Sequence, residues 1–332
     1  MNHAIAAVAA LCAAALLAGS AGAKAEAKGP SGWATVASFP SGTFAESLAI
    51  DARGSIYVTV TDWANATGYL ERIARDGTAR PLASLPTGDC CLTGVVLDAR
   101  GRIYVADATF GAEGAPSPGV FRFDRPDHWT QVLTLPAESF PNGLAFHGRW
   151  LYVSDSTRGA IWRTDPTTIT DATTGTPWLE DAGLLAPEGF GANGLAFWKD
   201  DLFVAVADAG SILRVPIRTH GTPGTPTQVI QDAALVTADG IAFDVMGSLY
   251  VTVNGGDPTQ GAPEPAPALW RLGSKGALEQ IDTPELSYPT MPVFGTTPAT
   301  AKTLYVENGG YFDGKDSIIA GNIGVHGIPL PQ

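Results

Sequence analysis

The chain has 332 residues, of which only 16% are charged, and its formal net charge is −13. This acidic balance argues against a nucleic-acid-binding protein, which needs a basic face, and suits a protein that holds a cation. The length is sufficient to bury a large core, and the 39 glycines and 25 prolines favour many short strands joined by tight turns.

The first element in chain order is a segment that we expect to be removed. Ala4–Ala18 is an unbroken apolar run, the small residues Ala21-Gly22-Ala23 follow it, and the first charged side chain is Lys24. This plan is typical of a secretory signal peptide, and the run is too short to span a membrane. We therefore expect residues 1–23 to be a signal peptide and residues 24–332 to be one exported domain, periplasmic or secreted.

Six copies of a short motif organise the rest of the chain. The clearest copies are Pro141–Phe146 and Ala192–Phe197, which share the sequence Asn-Gly-Leu-Ala-Phe. Each copy opens on a polar residue, here called the opener, and successive openers lie 46 to 51 residues apart. The openers are Glu46, Thr93, Asn142, Asn193, Asp239 and Thr290. Such steady spacing indicates a repeat architecture.

Each repeat carries the same series of strands. An apolar strand follows the opener, a tight turn leads to a second strand such as Ser55–Thr59, and a third and a fourth strand come next. Four strands per repeat without crossover helices predict an all-β fold, a six-bladed β-propeller with four-stranded antiparallel blades. Only five fourth strands follow a third strand, so we expect Trp33–Ser38 to complete the last blade and close the ring.

This topology brings the openers together at one mouth of the central channel. Four of them offer carboxylate or amide oxygens: Glu46, Asn142, Asn193 and Asp239. A ring of structural turn residues is the alternative interpretation, since Asn-Gly is a common turn signal, but a turn has no use for Glu. Oxygen ligands without Cys or His suit a hard cation, above all Ca²⁺, with other divalent cations as alternatives.

Two adjacent cysteines, Cys90 and Cys91, are the only ones outside the expected signal peptide. No Cys/His spacing for structural zinc is present. Adjacent cysteines in an oxidising compartment form either a vicinal disulfide or two thiols packed as small apolar groups. Both alternatives stay open. We expect this pair, with Thr93 and Thr290, to line the wall of a substrate pocket.

On these residues the chain resembles the six-bladed calcium-dependent hydrolases, which include the regucalcin/gluconolactonase family, diisopropyl fluorophosphatase and the paraoxonases. It also resembles strictosidine-synthase-like proteins of the same fold. The resemblance implies a calcium site built from Glu on the first blade, Asn on the third and fourth, and Asp on the fifth. The matching positions are Glu46, Asn142, Asn193 and Asp239. It further implies hydrolysis, with Asp239 as general base or nucleophile and Glu46 mainly as a ligand.

Two departures from the family pattern bear on the substrate. Cys91–Gly94 stands where sugar-lactone members commonly carry Arg-Phe-Asn-Asp to hold substrate hydroxyls. Thr290 is followed by Met291 and Pro292, where fluorophosphatase-like and paraoxonase-like enzymes tend to place a histidine. The resemblance therefore implies a lactone or ester that is less polar than a sugar lactone.

The sequence thus predicts an exported calcium-dependent lactonase or esterase. We expect a monomer that acts on a small molecule and has no nucleic-acid partner and, after signal cleavage, no membrane partner. One alternative is a strictosidine-synthase-like enzyme without hydrolysis, which Glu46-Ser47-Leu48-Ala49 slightly favours. The other is a secreted binding propeller in which the ion only braces the channel.

Overall fold

The computed structural model describes residues 32–88, 90–109, 116–126, 128–186, 189–256 and 265–329. The predicted signal peptide lies outside these ranges. The described residues form strands and four single-turn 3-10 helices at Trp63–Asn65, Ala182–Leu184, Thr219–Gly221 and Ala233–Leu235. Within these ranges, no helix is long and apolar enough to cross a membrane.

The strands form six sheets, and each sheet contains one blade of four antiparallel strands. From innermost to outermost strand, the first blade is β2 (Thr43–Ile50), β3 (Ile56–Asp62), β4 (Thr67–Ile73) and β5 (Ala79–Pro86). The second is β6 (Leu92–Leu97), β7 (Ile103–Asp107), β8 (Gly119–Arg125) and β9 (His128–Thr134). The third is β10 (Pro141–His147), β11 (Trp150–Asp155), β12 (Ala160–Thr164) and β14 (Leu179–Glu180).

The remaining three blades follow the same plan. The fourth is β15 (Ala192–Trp198), β16 (Asp201–Val206), β17 (Ser211–Pro216) and β18 (Thr227–Gln231). The fifth is β19 (Ala238–Phe243), β20 (Leu249–Val253), β21 (Ala268–Leu272) and β22 (Leu278–Gln280). The sixth is β23 (Pro289–Phe294), β24 (Thr303–Asn308), β25 (Ser317–Asn322) and β1 (Trp33–Ser38).

The first strand of the chain closes the ring. β1 pairs antiparallel with β25, so that Trp33 lies opposite Gly321 and Ser38 lies opposite Ser317. Each innermost strand contacts the innermost strands of both neighbouring blades, and β23 contacts β2. The predicted six-bladed propeller and its closing strand are therefore confirmed.

The core lies between the blades. Six apolar clusters occur, one between each pair of adjacent blades. Between the second and third blades, for example, Tyr104 and Leu133 pack against Leu151 and Trp162. Burying one large aliphatic or aromatic side chain stabilises a fold by about 1.5–3 kcal/mol. Each blade is thus held by both of its neighbours.

The third blade differs from the sequence prediction. The repeat pattern predicts the fourth strand of this blade at Thr176–Leu179, but β14 pairs with β12 only through Leu179 and Glu180. Pro177 has no backbone N–H to donate to a sheet, which weakens pairing with β12 at this point. The preceding residues instead supply β13 (Thr170–Asp171), which pairs parallel with β9 of the second blade.

Candidate metal centre and channel

Every innermost strand is irregular at its opener. The pairing with the second strand shifts register there in all six blades, between Pro141 and Leu144 in the third blade, for example. An extra residue in one strand of an antiparallel pair bends that strand and redirects a side chain. The repeat therefore places one redirected polar side chain per blade at the same height around the axis.

The glycine after the opener is required by close packing between blades. A Cβ at Gly143 would lie 2.5 Å from the carbonyl oxygen of Asn193. A Cβ added at Gly94 or Gly194 would come similarly close to the carbonyl oxygen of the next opener. Real Cβ atoms essentially never come so close to an oxygen. None of these three glycines has a positive φ. The repeated Asn-Gly is consequently not the turn that the alternative interpretation required.

Several opener carbonyls are already engaged by hydroxyl groups of the preceding blade. Ser154 Oγ donates to the Asn193 carbonyl across 2.6 Å, and Thr252 Oγ1 donates to the Thr290 carbonyl across 2.6 Å. Thr59 Oγ1 donates in the same way to the Thr93 carbonyl across 2.7 Å. These bonds join neighbouring blades around the channel. The opener side chains are therefore the oxygen groups best placed to bind a ligand.

Four opener side chains meet at one central cavity. Its lining includes the carboxylates of Glu46 and Asp239 and the amides of Asn142 and Asn193, with Thr290 beside them. The four candidate ligands are buried, with exposed fractions between 5% and 7%. The cavity volume is about 20 Å³. That is room for about one water molecule or one ion.

Burial of two carboxylates in this cavity is electrostatically costly. Burial raises the pKa of Glu46 well above its usual value, and the neighbouring charge of Asp239 raises it further. Burial likewise raises the pKa of Asp239 to about 7, although hydrogen bonds from Asn254 and Asn193 offset part of this. A divalent cation between the two would relieve both effects, because opposite charge favours the ionised form.

The donor set fits a hard cation. Among the described residues, no group of three His, Cys, Asp or Glu side chains converges in a way that could hold a metal. Two carboxylates and two neutral amides are what the cavity offers instead. Carboxylate and amide oxygens are the ligands that Ca²⁺ prefers, and two carboxylates balance one divalent charge.

Three side chains outside the opener series support the candidate ligands. Asn254 Nδ2 donates to Asp239 Oδ2 across 3.0 Å, and the Tyr311 hydroxyl donates to Glu46 Oε2 across 2.9 Å. Asn142 Nδ2 donates to Ser156 Oγ across 3.3 Å. Sequence reasoning missed all three. Asn254 and Ser156 directly follow second strands, so a polar residue recurring at that place was the available signal.

The other residues expected at the pocket wall lie in different places. Thr290 lines the cavity, whereas the Thr93 hydroxyl donates to the Pro141 carbonyl across 2.8 Å and is buried. Cys90 and Cys91 form a vicinal disulfide. They are buried in an apolar group that we call the mouth cluster. Its members are Phe44, Cys90, Cys91, Ala108 and Phe140, with Trp63, Phe190 and Tyr311 packed against them.

The mouth cluster lies at the end of the blades where the openers lie. Phe44 and Phe140 each stand two residues before an opener, and Ala108 follows the end of β7. The rings of Phe44 and Tyr311 lie 4.4 Å apart, and those of Phe140 and Phe190 lie 4.9 Å apart. The five core members are buried, so the partly exposed part of this cluster consists of the aromatic rings of Trp63, Phe190 and Tyr311.

Comparison with known proteins gives structural likeness only. No protein-family profile and no curated protein sequence matches the chain. A luciferin-regenerating enzyme is 13% identical with a TM-score of 0.60, over 89% of this chain and 97% of its own. This chain and the solved structures that it resembles share the propeller fold. Identity this low supports the fold and does not transfer an activity.

Other similar structures differ in what their names describe. The PQQ-bound aldose sugar dehydrogenase of Streptomyces coelicolor is 18% identical with a TM-score of 0.55, over 86% of this chain and 95% of its own. An auxiliary nutrient binding protein of Bacteroides thetaiotaomicron is 12% identical with a TM-score of 0.56, over 85% of this chain and 70% of its own. Enzymes and a binding protein therefore share this architecture.

Proposed function

We propose that the chain is an exported calcium-dependent hydrolase of a lactone or ester, related to the regucalcin/gluconolactonase group of propellers. One observation carries the proposal. The four openers with a carboxylate or amide side chain, Glu46, Asn142, Asn193 and Asp239, line one ion-sized cavity at the centre of the ring. The order Glu, Asn, Asn, Asp along the first, third, fourth and fifth blades is the order that the resemblance implies.

The residues of the site would divide the work between them. When bound, the cation would polarise the carbonyl group of the substrate and stabilise the negative charge that develops on its oxygen. Asp239 would accept the proton of the attacking water, or attack as nucleophile. Asn254 holds the Asp239 carboxylate in place, and Tyr311 does the same for Glu46. Thus each carboxylate is oriented before substrate binds.

The substrate class follows from the surface above the site. The partly exposed members of the mouth cluster are the aromatic side chains of Trp63, Phe190 and Tyr311, which carry no charge for binding sugar hydroxyls. Apolar surface favours apolar ligands in proportion to the area that is removed from water. We therefore propose an aliphatic or aromatic lactone or ester as substrate.

The decisive experiment compares Asp239→Asn with wild type in calcium titrations and in hydrolysis of a lactone and an aryl ester. We expect turnover to fall at least about 100-fold, the usual contribution of a general base. Calcium affinity should fall as well, because one of two charged ligands is lost. Asp200→Asn is the control, since Asp200 is exposed on the turn between β15 and β16. Unchanged turnover and affinity in Asp239→Asn would show that the assignment is wrong.

A second candidate is a secreted binding propeller in which the ion only braces the channel. The volume of the cavity, about 20 Å³, favours it, because a substrate needs more room than one ion. A panel of lactones, aryl esters and phosphotriesters separates the two functions. Calcium-loaded protein that hydrolyses none of them supports the binding protein. Hydrolysis that persists in chelator would show that turnover does not need the metal, which contradicts the calcium-dependent mechanism.

A further inference from the structure

A second pair of buried carboxylates lies where the last blade meets the first. Glu307, near the end of β24, has no solvent exposure, and Asp316, directly before β25, is 2% exposed. Thr43 Oγ1 donates to Asp316 Oδ2 across 3.3 Å, and the backbone N–H of Ala45 also donates to this carboxylate. Because Thr43 and Ala45 belong to β2, the pair lies at the seam that closes the ring.

Three carboxylate oxygens at this seam have no hydrogen-bond partner. They are Oε1 and Oε2 of Glu307 and Oδ1 of Asp316. A buried polar atom without a partner costs about 1–3 kcal/mol, and a charged one costs more. Native proteins contain few such atoms, and each indicates a missing water, ion or functional role.

Among the residues that the structure describes, no basic side chain balances the charge of this pair. The nearest lysine in sequence, Lys315, is exposed and pairs with Asp313 and Glu285, at 3.3 Å and 3.5 Å. Across the described ranges, no ion pair includes Glu307 or Asp316. Glu46 also lies close enough to add negative charge, and burial is the main cause that raises the pKa of Glu307.

We propose that a hard divalent cation, tested here as Ca²⁺, binds between Glu307 and Asp316 at a second site separate from the central cavity. Two carboxylates balance one divalent ion, and the unpartnered oxygens are the atoms that would ligate it. Neither residue lines the central cavity. The remaining ligands are backbone carbonyls or water, as is usual for this ion.

A cation explains the arrangement better than a shared proton does. A proton on each carboxyl would remove the charge of the pair, but it would supply no hydrogen-bond partner for Glu307 Oε1, Glu307 Oε2 or Asp316 Oδ1. Burial raises the pKa of Asp316 to about 8, and the donors Thr43 and Ala45 offset only part of this, so that a bound cation is what would keep Asp316 ionised at neutral pH. An ion here would also bind β2 to β24 and β25, across the seam between the first and sixth blades.

The test is the calcium stoichiometry of the full chain, measured by equilibrium dialysis and mass spectrometry after chelator treatment. We expect two ions per chain in wild type, one in Glu307→Gln, one in Asp239→Asn and none in the double variant. Asp316→Asn should also lose one ion. Glu279→Gln, an exposed acid on β22, should keep both.

Two results would overturn the proposal. The first is that wild type binds one ion and Glu307→Gln retains it. A Glu307→Gln chain that is also more stable than wild type at pH 8 would then indicate a protonated pair. The second needs no variant and so does not depend on variant folding. Wild-type crystals grown with calcium should show anomalous density between the two carboxylates, and a map that shows density only in the central cavity contradicts the second site.

Discussion

The Tyr311 hydroxyl donates a hydrogen bond of 2.9 Å to Glu46 Oε2, so that a residue of the sixth blade orients a candidate ligand of the first. The bond favours the ionised form of Glu46 and lowers its pKa, against the larger effects of burial and of Asp239. Tyr311 is itself held by its ring contacts with Phe44 and Tyr288. The charge state of Glu46 therefore depends on aromatic packing across the ring closure.

Tyr311→Phe should weaken calcium binding in a pH-dependent way. Without the hydroxyl donor the pKa of Glu46 rises further, so protons compete better with the ion for the carboxylate. A hydrogen bond to a charged group contributes about 1.5–3 kcal/mol, which corresponds to a loss of affinity of about tenfold to a hundredfold. Calorimetric titration at pH 6 and pH 8 measures the calcium affinity, and the loss of affinity should be larger at pH 6.

The matched control for this variant is Tyr69→Phe, which changes a tyrosine of β4 away from the cavity. Its calcium affinity should equal that of wild type at both pH values. Equal affinities for Tyr311→Phe and wild type at pH 6 would mean that the hydroxyl does not influence the charge of Glu46.

Gly143→Ala tests whether the opener glycines serve close packing. The new Cβ would press on the Asn193 carbonyl and displace it, with a cost of about 1–3 kcal/mol in the free energy of unfolding. Because Asn193 is a candidate ligand, calcium affinity should fall too. Urea unfolding and calcium titration measure the two effects.

Gly77→Ala separates this effect from ordinary glycine strain. Gly77 has a φ of 84° and no atom within 4 Å of an added Cβ. The variant should lose about 1–2 kcal/mol from backbone strain and keep its calcium affinity. If both variants bind calcium like wild type, the packing of Gly143 does not position the ligand.

The sequence predicted the repeat better than it predicted the surroundings of the site. Spacing alone placed Glu46 and Asp239 in one series, because the period of a repeat fixes which residues are equivalent. The spacing did not predict that Tyr311 and Asn254 belong to the site, because they lie in links whose paths depend on contacts between blades. It gave no reason for Gly143 beyond the turn chemistry of the alternative interpretation, whereas this glycine is required by the backbone of Asn193, 50 residues further along the chain.

Trp33→Ala should destabilise the ring closure. Trp33 is 4% exposed, its ring covers Gly321, and its Nε1 donates to the Asp282 carbonyl across 3.1 Å. Truncating a buried tryptophan costs about 3–5 kcal/mol. Trp129→Ala is the control, because Trp129 is only half-buried on β9 and should cost less. Equal losses in urea unfolding would contradict a special role for the closing strand.

Asp107→Asn should stabilise the protein at high pH and not at low pH. Burial raises the pKa of Asp107 from 3.8 to about 7, and a contact with Thr109 offsets part of this. The folded state thus binds the proton more tightly, so wild type loses stability as the pH rises from about 4 to 7. Asparagine avoids this loss, which is at most about 4 kcal/mol. Urea unfolding in chelator should show equal stability at pH 4 and a more stable variant at pH 8; equal stability at both would contradict it.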